Sequence, residues 1–196
     1  MKAYAASQGK AENLSTMKTD ITNEESVLLL RDHVESLIKS GKQLVGLVNN
    51  AGVALVGPVE VQPIKQFKRQ VEVNLFGHVH VTQVLLPFIR ESKGRVVSTV
   101  SLAGRYENSL ICLFLSFLFL FFLRAAAPVM AAYAASKFGM EAFTDSLRQE
   151  VKIWKVSVSA IEPGFIRTPL VETSIDNWNN LLPNVSFLLS ILVFIV

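Results

Sequence analysis

Tyr133 and Lys137 stand four residues apart in the run "AAYAASKFGMEAF". On a helix, residues at i and i+4 share a face, so a phenol and an ammonium would project side by side. A free phenol keeps its proton to about pH 10, and a cation held nearby favours the phenolate. The pair could therefore act as a proton-transfer couple near neutral pH. Taken alone the spacing is weak, because a surface tyrosine beside a solvated lysine gives the same pattern. Further polar residues punctuate the ends of apolar runs: Asn49-Asn50-Ala51-Gly52 after "LVGLV", Ser101 after "GRVVSTV", and Pro163-Gly164 after "KVSVSAIE". Asn74, in "VNLFG", sits inside a helical pattern, where a surface amide is the ordinary reading.

Elements able to position these groups are legible in the periodicity. Thr22 with Glu25 forms a capping-box pattern ahead of Val27, Leu30, Val34, Leu37 and Ile38 at helical spacing, and Gly41 marks the stop. Over residues 64–90 a second helix is predicted, with Phe67, Val71, Leu75, Val79 and Leu86 on one face and Pro87 bending or ending it. A third begins near Ala131 and carries Met140, Phe143, Leu147 and Val151. The short runs "LVGLVN", "GRVVSTVS" and "KVSVSAI" read as buried strands between these helices. Strand and helix in alternation predict crossover units, hence an α/β fold with a mainly parallel sheet. In such sheets ligands sit at the carboxyl ends of the strands, where residues 49–52, Ser101 and residues 163–164 all fall.

Composition narrows the classes. With 196 residues, 51% of them hydrophobic and 18% charged, the chain can bury the core of one domain. The net charge of +3 is modest and the basic residues are scattered along the chain, which disfavours nucleic acid as a partner. One cysteine, Cys112, excludes an internal disulfide and a multi-cysteine metal site, and its apolar surroundings suppress thiolate chemistry. No secretory signal is visible, so the sequons at Asn13 and Asn184 read as chance matches and the expected location is cytoplasmic or membrane-associated within the cell.

In their order, "NNAG" at 49–52, Asn74, Ser101 in "STVSLAG", the Tyr133/Lys137 pair and "EPGFIRTP" closely resemble the short-chain dehydrogenase/reductase family, over residues 14–105 and 125–172. The resemblance implies a Rossmann-like doubly wound parallel sheet and an NAD- or NADP-dependent oxidoreductase. It implies Tyr133 as general acid/base, Lys137 as the residue that lowers its pKa and holds the nicotinamide ribose, Ser101 as the hydroxyl orienting the substrate oxygen, and Asn74 as the holder of a relay water. For the cofactor it implies Asp20 and Ile21 at the adenine, Asn49, Ala51 and Gly52 beside the adenosine ribose, and Pro163, Gly164, Ile166 and Thr168 around the nicotinamide. The branch it looks most like contains retinol, hydroxysteroid and 3-hydroxybutyrate dehydrogenases, so the expected substrate is a small hydrophobic secondary or allylic alcohol or its ketone. Family members commonly pair subunits through the helices here at 64–90 and 131–152, so a homo-oligomer is expected of the complete protein.

The chain departs from the family in two places. No glycine-rich turn opens a helix after a strand before Asn49, so the first two strands and the last strand of the family sheet are expected to be missing, with residues 15–18 as its third strand. The second departure is "SLICLFLSFLFLFFLR" at 109–124, a run too short to span a bilayer comfortably. Ser101 and Tyr133 lie 32 residues apart, and removing the 19 residues 106–124 brings them to 13 and restores a continuous family-like reading. Residues rich in Phe, Leu and Ser are products of pyrimidine-rich codons, which precede intron acceptor sites. Residues 106–124 and the tail 185–196 thus read as non-native additions to one partial NAD(P)-binding domain. The rival reading is an inactive or membrane-associated fragment whose apolar runs embed in a bilayer.

Overall fold

The computed structural model describes residues 16–101, 128–164 and 169–181. The runs at 106–124 and 185–196, together with Ile166 and Thr168, lie outside the described residues.

Helix α1 spans Glu24–Lys39. Its N-cap is Asn23, whose side chain accepts from the Ser26 amide at 2.8 Å, in place of the expected Thr22. Thr22 is drawn away because its amide and hydroxyl both donate to the Asp20 carboxylate, at 2.9 and 2.7 Å, closing an Asx turn one step earlier. Residues 16–20 form no strand, contrary to the expectation for 15–18. An extended segment becomes a strand only when a neighbour supplies the hydrogen-bond ladder, and none of the described strands lies alongside it.

Strand β1 (Gly46–Asn49) pairs in parallel with β2 (Arg95–Thr99), and β2 with β3 (Ser157–Ile161), giving a three-stranded sheet in the order β1-β2-β3. Between β1 and β2 runs one long helical rod: α2 (Ile64–Val71), a π-helical segment (Glu72–Phe76) and α3 (Gly77–Glu91). Pro87 does not end it; the helix continues to Glu91 with Pro87 on its exposed side. Helix α4 (Ala131–Glu150) leads through a 3₁₀ turn (Val151–Trp154) into β3, and α5 (Pro169–Leu181) follows.

The core lies on one face of the sheet. Val27 of α1, Val81, Leu85 and Ile89 of α3, and Leu147 of α4 close over Val96 and Val158. Met140, Leu147 and Val151 are buried as their spacing requires, with Phe143 half-buried. The predicted apolar face of the rod is displaced. Phe67, Val71, Leu75, Val79 and Leu86 are only half-buried, while Gln70, Val73, Asn74, His78, Val81, Thr82 and Leu85 face inward. The expected stripe instead lies toward the side, where Leu75 presses on Gly139 of α4; a Cβ at Gly139 would fall 2.8 Å from it. Val48 and Ile161, on the other face of the sheet, are 62% and 50% exposed.

Candidate active site

The site is assembled at the carboxyl ends of the strands by a polar ladder on the α2–α3 rod. Gln70, Asn74, His78 and Thr82 recur every fourth residue, all at most 3% exposed. Each meets an alternate residue of the segment that leaves β1. The Gln70 carboxamide accepts from the Leu55 amide at 2.9 Å and donates to its carbonyl at 3.1 Å. Asn74 does the same for Val53, at 2.8 and 2.9 Å. His78 Nε2 meets the Ala51 carbonyl at 2.7 Å, and Asn49 Nδ2 donates to Thr82 Oγ1 at 2.9 Å.

The match is one of pitch. Four helical residues rise about 6 Å and two extended residues about 6.6 Å, so the two chains stay in step over the ladder. An α-helical stripe at every fourth residue would drift by about 40° per step. The wider π-helical turn at Glu72–Phe76 rotates less per residue and brings the stripe back into line, with Asn74 at its centre. On its even residues the same segment is held by α5, where Ser174 Oγ donates to the Ala54 carbonyl at 2.9 Å and Asn177 Nδ2 to the Val56 carbonyl at 2.8 Å.

Around this frame the expected residues gather. The Tyr133 hydroxyl is hydrogen-bonded with Ser101, two residues beyond the end of β2. Lys137 Nζ donates to the Thr99 carbonyl at 3.0 Å and lies 5.7 Å from the centre of the Tyr133 ring. Asn74 Nδ2 also donates to Ser136 Oγ, at 3.0 Å, linking the rod to the residue beside Lys137. Gly52 closes the group: a Cβ there would stand 3.6 Å from Asn74 Oδ1 and 4.0 Å from Lys137 Nζ.

Burial sets the protonation states. It raises the Tyr133 pKa above the ordinary phenol value, against the opposing effect of the Ser101 hydrogen bond, and lowers that of Lys137 to about 8. The lowered tyrosine pKa expected from a neighbouring ammonium is therefore not found. Lys137 Nζ is committed to Thr99, and desolvation of the phenolate outweighs the help from Ser101. Burial also lowers the His78 pKa, with Lys137 adding to the effect, so His78 is neutral. Because a carbonyl only accepts, its proton sits on Nε2.

Asp20 and Ile21 approach the same rod three residues past Asn74. A Cβ at Gly77 would fall 2.7 Å from the Ile21 side chain and 2.9 Å from its carbonyl oxygen, so only glycine admits this contact. Asp20 has its pKa lowered by the Thr22 hydroxyl and amide, helped by Arg69. Pro163 and Gly164 follow β3 at the same sheet edge. Two surface hollows, of about 670 and 520 Å³, lie along the outer side of the rod, and neither is lined by Tyr133 or Lys137. The sequence reading missed Gln70, His78, Thr82 and Ser136. The polar period of four at 70, 74, 78 and 82 was the signal available for three of them.

The family model for short chain dehydrogenase matches residues 1–115 and 124–179. The chain belongs to the short-chain dehydrogenase family. Among curated relatives, it is 38% identical over 161 residues to human retinol dehydrogenase 5, covering 82% of this chain and 44% of that one. It is 37% identical over 156 residues to the mitochondrial D-beta-hydroxybutyrate dehydrogenase of Rattus norvegicus, covering 79% and 40%. The chain thus spans less than half the length of either relative. An NAD+-bound xylitol dehydrogenase structure superposes with a TM-score of 0.67 at 27% identity, covering 85% of this chain and 56% of that one. The three-stranded parallel sheet with its helices is accordingly part of a Rossmann-like short-chain dehydrogenase fold.

Proposed function

We propose that the protein carrying this chain interconverts a secondary or allylic alcohol and its carbonyl compound with NAD or NADP, using Tyr133 as the acid/base. The observation that carries this reading is the Tyr133–Ser101 hydrogen bond held beside Lys137 and Asn74. The residues present fit a nicotinamide nucleotide: the side-chain space at Gly52 opens between an amide oxygen and an ammonium, a donor and acceptor set suited to ribose hydroxyls. Lys137 would hold the nicotinamide ribose, while Asn49, Ala51 and Gly52 would form the turn beside the adenosine ribose, with Asp20 and Ile21 toward the adenine. When bound, the cofactor supplies the hydride chemistry.

The chain's own residues move the proton. Protonated at neutral pH, Tyr133 is ready to donate to a carbonyl oxygen that Ser101 Oγ also holds, so developing negative charge meets two hydroxyl donors. In the reverse direction the same pair receives the alcohol proton. Lys137, with a pKa of about 8, remains a cation at pH 7 and is held on the Thr99 carbonyl, from where it would bind the nicotinamide ribose. Residues 106–124 belong to this proposal as a non-native insertion between Ser101 and Tyr133; in support, the family match leaves out 116–123, the centre of that run, although it includes 106–115.

Titration of the purified protein with NADH and NADPH, followed by nicotinamide fluorescence, tests the reading, with turnover of secondary and allylic alcohols as its second arm. Saturable binding with turnover that Tyr133→Phe abolishes is expected. Failure to bind either nucleotide would instead favour the non-catalytic, membrane-associated fragment. Transcripts that keep the codons for 106–124 in most messages would overturn the reading of these residues as a non-native addition.

A further inference from the structure

Opposite the candidate site, at the amino-terminal edge of the sheet, three turns lead into the strands: residues 42–45, 90–95 and 150–157. They form one surface. The Arg95 amide donates to the Val45 carbonyl at 3.2 Å, the Ser157 amide to the Gly94 carbonyl at 3.1 Å, and Ser92 Oγ to the Leu44 carbonyl at 2.6 Å. Arg90 spans the surface with its guanidinium 3.7 Å above the Trp154 ring.

Six basic residues fall in these segments, Lys42, Arg90, Lys93, Arg95, Lys152 and Lys155, against two carboxylates, Glu91 and Glu150. All six are exposed. Among them stands Ile153, at 76% the most exposed large hydrophobic residue of the described chain, beside Trp154 at 36% and Val45 at 65%. Lys93 and Lys155 adopt φ of 51° and 58°, the left-handed conformation that glycine takes at less cost, so two turns present an ammonium where a small residue would fold more easily.

We infer that this edge docks on an anionic bilayer surface, with Ile153 and Trp154 entering the headgroup layer and the six cations facing lipid phosphates and carboxylates. The charge balance calls for an anionic partner, and an isoleucine three-quarters exposed calls for an apolar one. A bilayer interface offers both at once, with tryptophan the side chain best suited to its boundary. Nucleic acid fits less well, because the face of Trp154 is covered by Arg90 and is not free to stack on a base. In this orientation Asn49, Gly52 and Ser101, at the opposite ends of the strands, point away from the membrane.

Vesicle flotation of the full protein tests the inference, using phosphatidylcholine with and without phosphatidylserine. A Trp178→Phe background leaves Trp154 as the only tryptophan. Expected are flotation with phosphatidylserine alone, a blue shift of Trp154 emission on binding, and release by salt. Lys152→Glu combined with Lys155→Glu should weaken partitioning on the order of 25-fold or more, since one basic residue near such a surface is worth about fivefold. Ile153→Ser should weaken it with no change in charge. Equal binding to neutral vesicles would overturn the inference and assign binding to the apolar runs. So would unchanged affinity in these variants, no binding at all, or an oligomer without lipid that the same variants dissociate, which would make the edge a contact between copies.

Discussion

Replacing Lys137 with methionine should make the protein more stable near neutral pH while destroying the candidate site. Lys137 is 5% exposed, and burial lowers its pKa from 10.5 to about 8. At about 1.4 kcal/mol per pKa unit, holding that ammonium in the folded core costs about 3 kcal/mol below pH 8. Methionine fills the same unbranched volume without the charge. The Thr99 carbonyl then loses its donor, which returns about 1 kcal/mol, so the variant should lead by about 2 kcal/mol at pH 7. The sign with pH follows from proton counting. Between pH 8 and 10.5 the unfolded lysine still holds its proton and the folded one has released it, so wild-type stability rises with pH through that window. The lead of Lys137→Met should therefore vanish by about pH 10. Urea midpoints of both proteins at intervals from pH 6 to pH 10 measure it. A gap that stays constant over that range, or a variant less stable at pH 7, refutes the burial account of Lys137. Retaining so costly a residue is the usual sign of function gained at the expense of stability.

Tyr133→Phe removes one hydroxyl and its bond to Ser101; turnover should fall at least a hundredfold while the urea midpoint moves by about 1 kcal/mol or less. Asn74→Ala strips three hydrogen bonds from a fully buried position and should cost about 3 kcal/mol in urea unfolding, with a loss under 1 kcal/mol counting against the ladder. Gly77→Ala drives a methyl into the Ile21 carbonyl as well as its side chain, so a rotamer change cannot relieve it, and thermal unfolding should show a loss of about 1–3 kcal/mol. His78→Leu should raise the nucleotide KM with little change in kcat, and His78→Gln, which restores an amide donor toward Ala51, should recover most of it; equal KM values in the two variants would rule out the hydrogen bond as the cause.

Local pattern carried the elements. The strands at 46–49, 95–99 and 157–161 and the helix beginning at Ala131 follow from short β-branched runs and an apolar period near 3.6, because alternating burial imposes those patterns directly on the chain. Thr22 and Asn23 show where this weakens. Both are good caps, and the choice fell to Asn23 only once Asp20 had engaged Thr22. The strand expected at 15–18 needed a neighbour that its own residues cannot report.

By itself the sequence determined the order of the chemical groups: a tyrosine and a lysine on one helical face, a serine, an asparagine and two turns at strand ends. Tertiary structure alone decided their states. Packing α4 against the rod buries Tyr133 and Lys137, and desolvation, which no spacing encodes, moves both pKa values toward the neutral forms. It also decided that scattered basic residues become one charged edge, since three turns far apart in the chain meet only when parallel strands pair in register.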